Sequence, residues 1–203
     1  MNNIIIELPS SVYIDEEVTF EENVVIRPNT IIKGKCKIGK NVILGPNSEI
    51  INSEISDNCK IHHSLVSDSK IKENVVIGPF AHLRNNVKIA NNVRIGNYVE
   101  IKNSSISENT KIAHLSYIGD AVVGTNVNIG AGVIIANYDG KNKHQTIIND
   151  NAFIGSNSTL IAPLIIEENA LIAAGSTITN NVPKDTLAIA RSYQINKKRK
   201  NIS

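Results

Sequence analysis

Few residues in this sequence have chemistry to offer. There are five histidines, His62, His63, His82, His114 and His144. A neutral imidazole accepts a proton near neutral pH, so a histidine held beside a substrate can serve as a general base. His114 lies between two apolar residues six apart, in Ile112-Ala113-His114-Leu115-Ser116-Tyr117-Ile118. Taken alone, a surface histidine is ordinarily just solvated. Arg84 and Lys102 are 18 residues apart. If they meet in space, an anion between them relieves their repulsion, and a phosphate suits that place. If they point apart, they are two solvated charges. The stretch Asn137-Tyr138-Asp139-Gly140-Lys141-Asn142-Lys143 gathers tyrosine, aspartate and two lysines. No Walker loop is present, and no G-x-G-x-x-G follows a strand and opens a helix, so this sequence contains no mononucleotide-binding α/β domain. Whether residues 84 and 102 meet depends on whether the chain returns on itself every 18 residues.

The periodicity says that it does. Apolar residues recur at Ile14, Phe20, Ile26, Ile32, Ile38, Leu44 and Ile50, and the series runs on to Ile135. It resumes at Ile148 and continues to Ile178. Of its 27 intervals, 21 are six residues, five are five and one is thirteen. Neither a helix nor a simple alternating strand holds a six-residue beat. A hexapeptide beat marks a parallel β-helix, in which three short strands and three corners make one coil of a triangular prism. The 28 beats give about nine coils. Ile is 35 and Val 16 of the 203 residues, which favours strands. Asn is 28, and with the glycines it suggests many corners in a left-handed backbone conformation. Glycine often follows the beat, as in Ile38-Gly39, Ile95-Gly96 and Ile129-Gly130. The thirteen-residue interval between Ile135 and Ile148 must bulge from the prism. A zinc hydrase on such a prism needs three converging imidazoles, and no histidine pair here has the spacing of the carbonic anhydrases of this shape.

Composition narrows the rest. Lys+Arg 21 against Asp+Glu 19 gives no reason to expect nucleic acid. Two cysteines, Cys36 and Cys59, rule out a disulfide framework. No stretch is long and apolar enough for a membrane span, so the expected location is cytoplasmic. The beat stops after Val182-Pro183, which places a prism domain over 1–183 and a polar, basic tail over 184–203 that ends in Lys197-Lys198-Arg199-Lys200.

The segments Gly78-Pro79-Phe80-Ala81-His82-Leu83-Arg84, Gly96-Asn97-Tyr98-Val99-Glu100-Ile101-Lys102 and His114-Leu115-Ser116-Tyr117-Ile118-Gly119-Asp120 carry a resemblance. So do Asn126-Val127-Asn128-Ile129-Gly130-Ala131-Gly132, Asn137 to Lys143, and Leu187-Ala188-Ile189-Ala190-Arg191. Together they resemble the carboxy-terminal domain of the bifunctional bacterial N-acetylglucosamine-1-phosphate uridyltransferase/glucosamine-1-phosphate acetyltransferases. The resemblance implies an all-β, left-handed parallel β-helix that moves acetyl from acetyl-CoA to the amine of glucosamine 1-phosphate. It implies a homotrimer with sites between subunits and no metal requirement for this step.

Residue by residue, the resemblance makes His114 the general base and Glu100 its orienting or relay partner. Arg84 and Lys102 would hold the sugar phosphate, and Tyr117 and Asn128 the sugar. Asn137 and Lys143 would approach the acetyl-transfer centre. Ala131, Asn137, Tyr138, Ser156 and Ala174 match CoA-binding positions, and Arg191 a cation that meets CoA phosphate. Nothing in this sequence supplies uridyl transfer, so the resemblance implies a stand-alone acetyltransferase or one part of a split or larger system with a separate uridyltransferase. Two other readings stay open: acetylation of a different amino sugar, and a rigid non-catalytic scaffold for a separate nucleotidyltransferase.

Overall fold

Each short strand ends at a corner that the local residues dictate. The computed structural model describes residues 3–198. After most inward beat residues the chain turns through a residue with positive φ, which in most corners is asparagine: Asn23, Asn41, Asn58, Asn74, Asn92, Asn109, Asn126, Asn151 and Asn169 share one edge. Asparagine tolerates this left-handed backbone better than other residues with a side chain. Its amide also links coils, since Asn23 donates to Asn41 (3.3 Å) and Asn41 donates to Asn58 (3.0 Å).

The strands stack in three parallel sheets of 11, 10 and 9 members, called here faces A, B and C, and each strand pairs with the one a full coil away. The fold is a left-handed parallel β-helix of about ten coils. That is one more than the beat suggests. Ile4–Ile6 pairs with Val24–Ile26 ahead of the first beat, and Leu187–Ala188 pairs with Leu171–Ile172 beyond the last. The ladder therefore runs past Pro183. Ala188 takes the inward slot there, and alanine is too small to register as a beat. Of the basic run, Arg199 and Lys200 lie outside the described residues.

The beat residues from Ile26 to Ile178 are buried, while Ile14 and Phe20 are half-buried against the same core. A second inward row stands two residues earlier and holds small side chains such as Val42, Ser64, Ala81 and Ser116. Small and large rows alternate, which fills a narrow prism without voids. Cys36 and Cys59 occupy small slots as free thiols, and burial pushes the Cys59 thiol up to about 11. Several glycines after the beat, Gly39, Gly96, Gly130 and Gly155, serve space and not conformation. A Cβ at Gly96 would collide with the Ala113 carbonyl of the next coil, and its φ is not positive.

The corner account separates two contributions. Asn41 adopts φ 55° and bonds amides on both sides. Asn41→Ala is expected to cost about 1–2 kcal/mol in chemical denaturation, because alanine resists this backbone. Asn41→Gly is expected to cost less, since glycine loses only the side-chain ladder. Equal losses in the two variants would show that the backbone conformation is not what asparagine supplies.

Candidate active site

The edge between faces A and B breaks the asparagine rule. Its left-handed corners run Asn29, Asn47, His63, Phe80, Tyr98, Leu115, Gly132, Asn157 and Gly175. Phe80, Tyr98 and Leu115 are exposed apolar side chains in a conformation that bulky residues rarely adopt, at φ 59°, 55° and 54°. The Phe80 and Tyr98 rings stack at 5.3 Å between centroids, and His63 packs on Phe80 at 5.7 Å. Above Leu115 the corner residues become small.

The residue before each of these corners forms a row. Asn97, His114, Ala131, Ser156 and Ala174 follow one another up the edge, joined by backbone bonds. Leu115 N–H donates to Asn97 O at 3.0 Å and Gly132 N–H to His114 O at 3.2 Å. Asn157 N–H donates to Ala131 O and Gly175 N–H to Ser156 O, both at 2.8 Å. His114 thus sits exposed at the point where the edge passes from bulky to small. Above it the row holds small side chains, and the aliphatic stem of Arg191 comes within 3.8 Å of where a Cβ on Gly175 would lie. The expected positions Ala131, Ser156, Ala174 and Arg191 therefore lie along the same edge as His114.

A second cluster occupies the far end of the face B strands. Arg84 and Lys102 are register partners in neighbouring coils, as their 18-residue spacing implied. Lys102, 7% exposed, reaches Asp120 at 3.9 Å. Asp120 also accepts from Asn103 at 2.5 Å and from Asn137 in a short hydrogen bond. Gly119 makes room for the group, since a Cβ there would lie 2.5 Å from the Tyr117 hydroxyl and 2.7 Å from Asn137 Nδ2. The adjoining Lys143 side chain, then burial, hold the Lys102 pKa below the ordinary lysine value, with Asp120 opposing and Arg84 adding to the fall. Three cations thus crowd one polar pocket. Asp120 is the member that sequence reasoning overlooked.

The thirteen-residue interval is the expected bulge, a small hairpin closed by a bridge between Tyr138 and Lys143. Asp139 organises it, accepting from the Asn142 N–H (2.6 Å) and Lys141 N–H (2.8 Å) and pairing with His144 at 2.7 Å. These donors, the Asn142 N–H foremost, hold the Asp139 carboxyl well below the usual carboxylate range. Tyr138 is exposed, and its hydroxyl donates to Gly140 O at 2.7 Å.

Two expected groupings come apart within one chain. Glu100, expected beside His114, is held instead by Arg84, whose Nε and terminal nitrogen donate at 2.9 and 2.6 Å. The His114 ring pairs with Asn97. The reason is register: Glu100 starts a face B strand opposite Tyr117, while His114 ends a face A strand opposite Asn97. Asn128 likewise stands on face A and Tyr117 on face B, so one chain does not bring them together. His114 and the Arg84–Lys102 cluster lie at opposite ends of the face B strands.

The curated bifunctional protein GlmU of Thermoanaerobacter pseudethanolicus is 55% identical over 196 residues, or 97% of this chain. GlmU of Streptococcus agalactiae serotype V is 51% identical over 197 residues, also 97% of the chain. The family model for bacterial transferase hexapeptide repeats matches residues 17–52 and 145–180. The chain belongs to the GlmU hexapeptide-repeat family. It spans 43% of the length of those two GlmU relatives and corresponds to their C-terminal part. A model of the GMPPB C-terminal domain also matches residues 67–142. Among solved structures, the Arabidopsis UDP-N-acetylglucosamine acyltransferase superposes with a TM-score of 0.78 at 20% identity, covering 88% of this chain and 69% of that one. That likeness speaks for the fold. No helix among the described residues is long and apolar enough to cross a membrane.

The cation cluster makes a prediction that needs no substrate. By NMR titration of the lysine side chains, Lys102 is expected to lose its proton before the surface lysines as pH rises. Lys143→Met removes the neighbouring ammonium and is expected to raise the Lys102 pKa toward the ordinary value. If Lys102 titrates with the surface lysines in both proteins, the crowding of charge described here is wrong.

Proposed function

We propose that this chain transfers the acetyl group of acetyl-CoA to the amine of glucosamine 1-phosphate, giving N-acetylglucosamine 1-phosphate for UDP-N-acetylglucosamine and cell-wall synthesis. The observation that carries the reading is the change in the A–B edge at His114, where an exposed imidazole stands at the foot of a floor of small residues. A pantetheine arm fits such a floor, because its amides can approach the backbone at Ala131, Ser156 and Ala174. Arg191 at the far end supplies a cation for CoA phosphate, and Tyr138 stands exposed on the hairpin for further CoA contact.

In this reading His114 removes a proton from the acceptor nitrogen as that nitrogen attacks the thioester carbonyl. The N–C bond forms, the C–S bond breaks, and the proton held by His114 passes to the departing thiolate. Asn137 and Lys143 stabilise the oxyanion of the tetrahedral intermediate as donors. Arg84 and Lys102 bind the sugar phosphate through charge-assisted bonds. Tyr117 and Asn128 contact the sugar. Glu100 acts on the phosphate side, by orienting Arg84. Holding both substrates in one site supplies much of the rate.

The separation of His114 from the cation cluster supports a site completed by a second copy, and hence a homotrimer with sites between subunits. The exposed Phe80, Tyr98 and Leu115 offer an apolar seam for that contact.

The test is thiol release from acetyl-CoA with glucosamine 1-phosphate. His114→Ala is expected to lower kcat by about 10²–10⁴-fold. A folded wild-type protein that acetylates other amino sugars but not this one would overturn the acceptor. A folded protein inactive on every amino sugar would be a scaffold. For assembly, the double variant Phe80→Asn/Tyr98→Asn keeps a residue suited to these corners while removing the apolar seam. Sedimentation is expected to show its mass falling from trimer toward monomer, and an unchanged mass would place the interface elsewhere.

A further inference from the structure

The strands Arg94–Asn97 and Lys111–His114 are the two four-residue strands among the described residues, where the others have two or three. Their extra length carries the ladder to the A–B edge and sets Asn97 opposite His114 in register. Gly96 permits this approach, because any side chain there would meet the Ala113 carbonyl. At the end of the pair, the Asn97 side-chain oxygen makes a short hydrogen bond with Nδ1 of the His114 ring. Among the described residues no carboxylate pairs with that ring, and the nearest expected one, Glu100, is held by Arg84.

We propose that Asn97 is the positioning residue of His114. The inference rests on the reading of His114 as the general base. An amide oxygen can only accept, so Nδ1 must carry the ring hydrogen. Nε2 then keeps its lone pair, on the far side of the ring from Asn97. The bond fixes both the tautomer and the direction of the ring, the two things a general base needs from its neighbour. A neutral amide does this without the pull of a carboxylate, which would favour imidazolium and leave less free base at neutral pH. When Nε2 takes the proton from the acceptor amine, the Nδ1–H to Asn97 bond persists unchanged, and the same Nε2 proton leaves with the thiolate.

The experiment compares Asn97→Ala, Asn97→Asp and His114→Ala with wild type in the acetyl-transfer assay, together with ¹⁵N NMR of the His114 ring in the resting protein. Asn97→Ala is expected to lower kcat by about 10–100-fold, with KM for both substrates little changed. Asn97→Asp keeps the acceptor, so kcat is expected to recover. Its carboxylate favours imidazolium, so the acidic limb of the kcat/KM profile is expected to move to higher pH. The ring in wild type is expected to carry its hydrogen on Nδ1. Wild-type kcat in Asn97→Ala, an Asn97→Asp profile that superimposes on wild type, or a hydrogen on Nε2 would each overturn the proposal. Retained activity in His114→Ala would instead overturn the general-base reading. The ring spectrum needs no turnover and decides the Asn97 contact in either case.

Discussion

Everything in this molecule follows from the need to close a coil. A strand of two or three residues buries little, so the chain must turn sharply, bury one large side chain per face and return beneath itself in about eighteen residues. Parallel backbone bonds then hold each coil to the next at the ordinary strand spacing of about 4.8 Å. Under that constraint, position in the sequence becomes position in a column. Side chains a coil apart stack, whatever their type. The core column must be isoleucine-like and the corner columns must accept a left-handed backbone, while the outward columns are left free. Arg84 beneath Lys102, and Asn97 beneath His114, are consequences of this geometry before they are features of a site.

The same constraint explains what could be read beforehand. The beat fixed the prism because isoleucine in a six-residue series has no other explanation, and the thirteen-residue interval marked the hairpin for the same reason. The ends were harder. Ala188 completes an inward column yet is too small to be seen as a beat, so the ladder outlasts its apparent signal. The small inward row was hidden too, since serine, alanine, valine and cysteine share size but no chemistry. Glycine misled in a different way: Gly96 looks like a residue chosen for its backbone freedom, and it is required by the nearness of Ala113.

For the site, columns were legible and edges were not. The 18-residue spacing of Arg84 and Lys102 was enough to pair them. The partner of His114 could not be found from residue type, because a carboxylate is the natural expectation and Glu100 was close in sequence. Register decides otherwise: Glu100 lies across a corner from His114, on the next face. A usable signal did exist in the breaks of the asparagine columns. Where Phe80, Tyr98 and Leu115 replace asparagine, the fold accepts conformations that cost about 1–3 kcal/mol each. Such substitutions are hard to account for by folding alone and point to a surface with another task.

The asparagine edge also gives the prism a direction. Several of its amide nitrogens donate toward the next coil, from Asn23 to Asn41 to Asn58, and from Asn126 to Asn151. The last of these bonds runs from Asn169 to Asp185 at 2.8 Å, and a carboxylate has no hydrogen to hand on. The relay ends there by chemistry. A further coil, or another molecule stacking end to end, would meet a negative charge where the pattern calls for a donor. A solenoid with open strand edges at its ends is otherwise a template for fibre growth. The aspartate gives this edge a polarity, an amide at each lower corner and a carboxylate at the last.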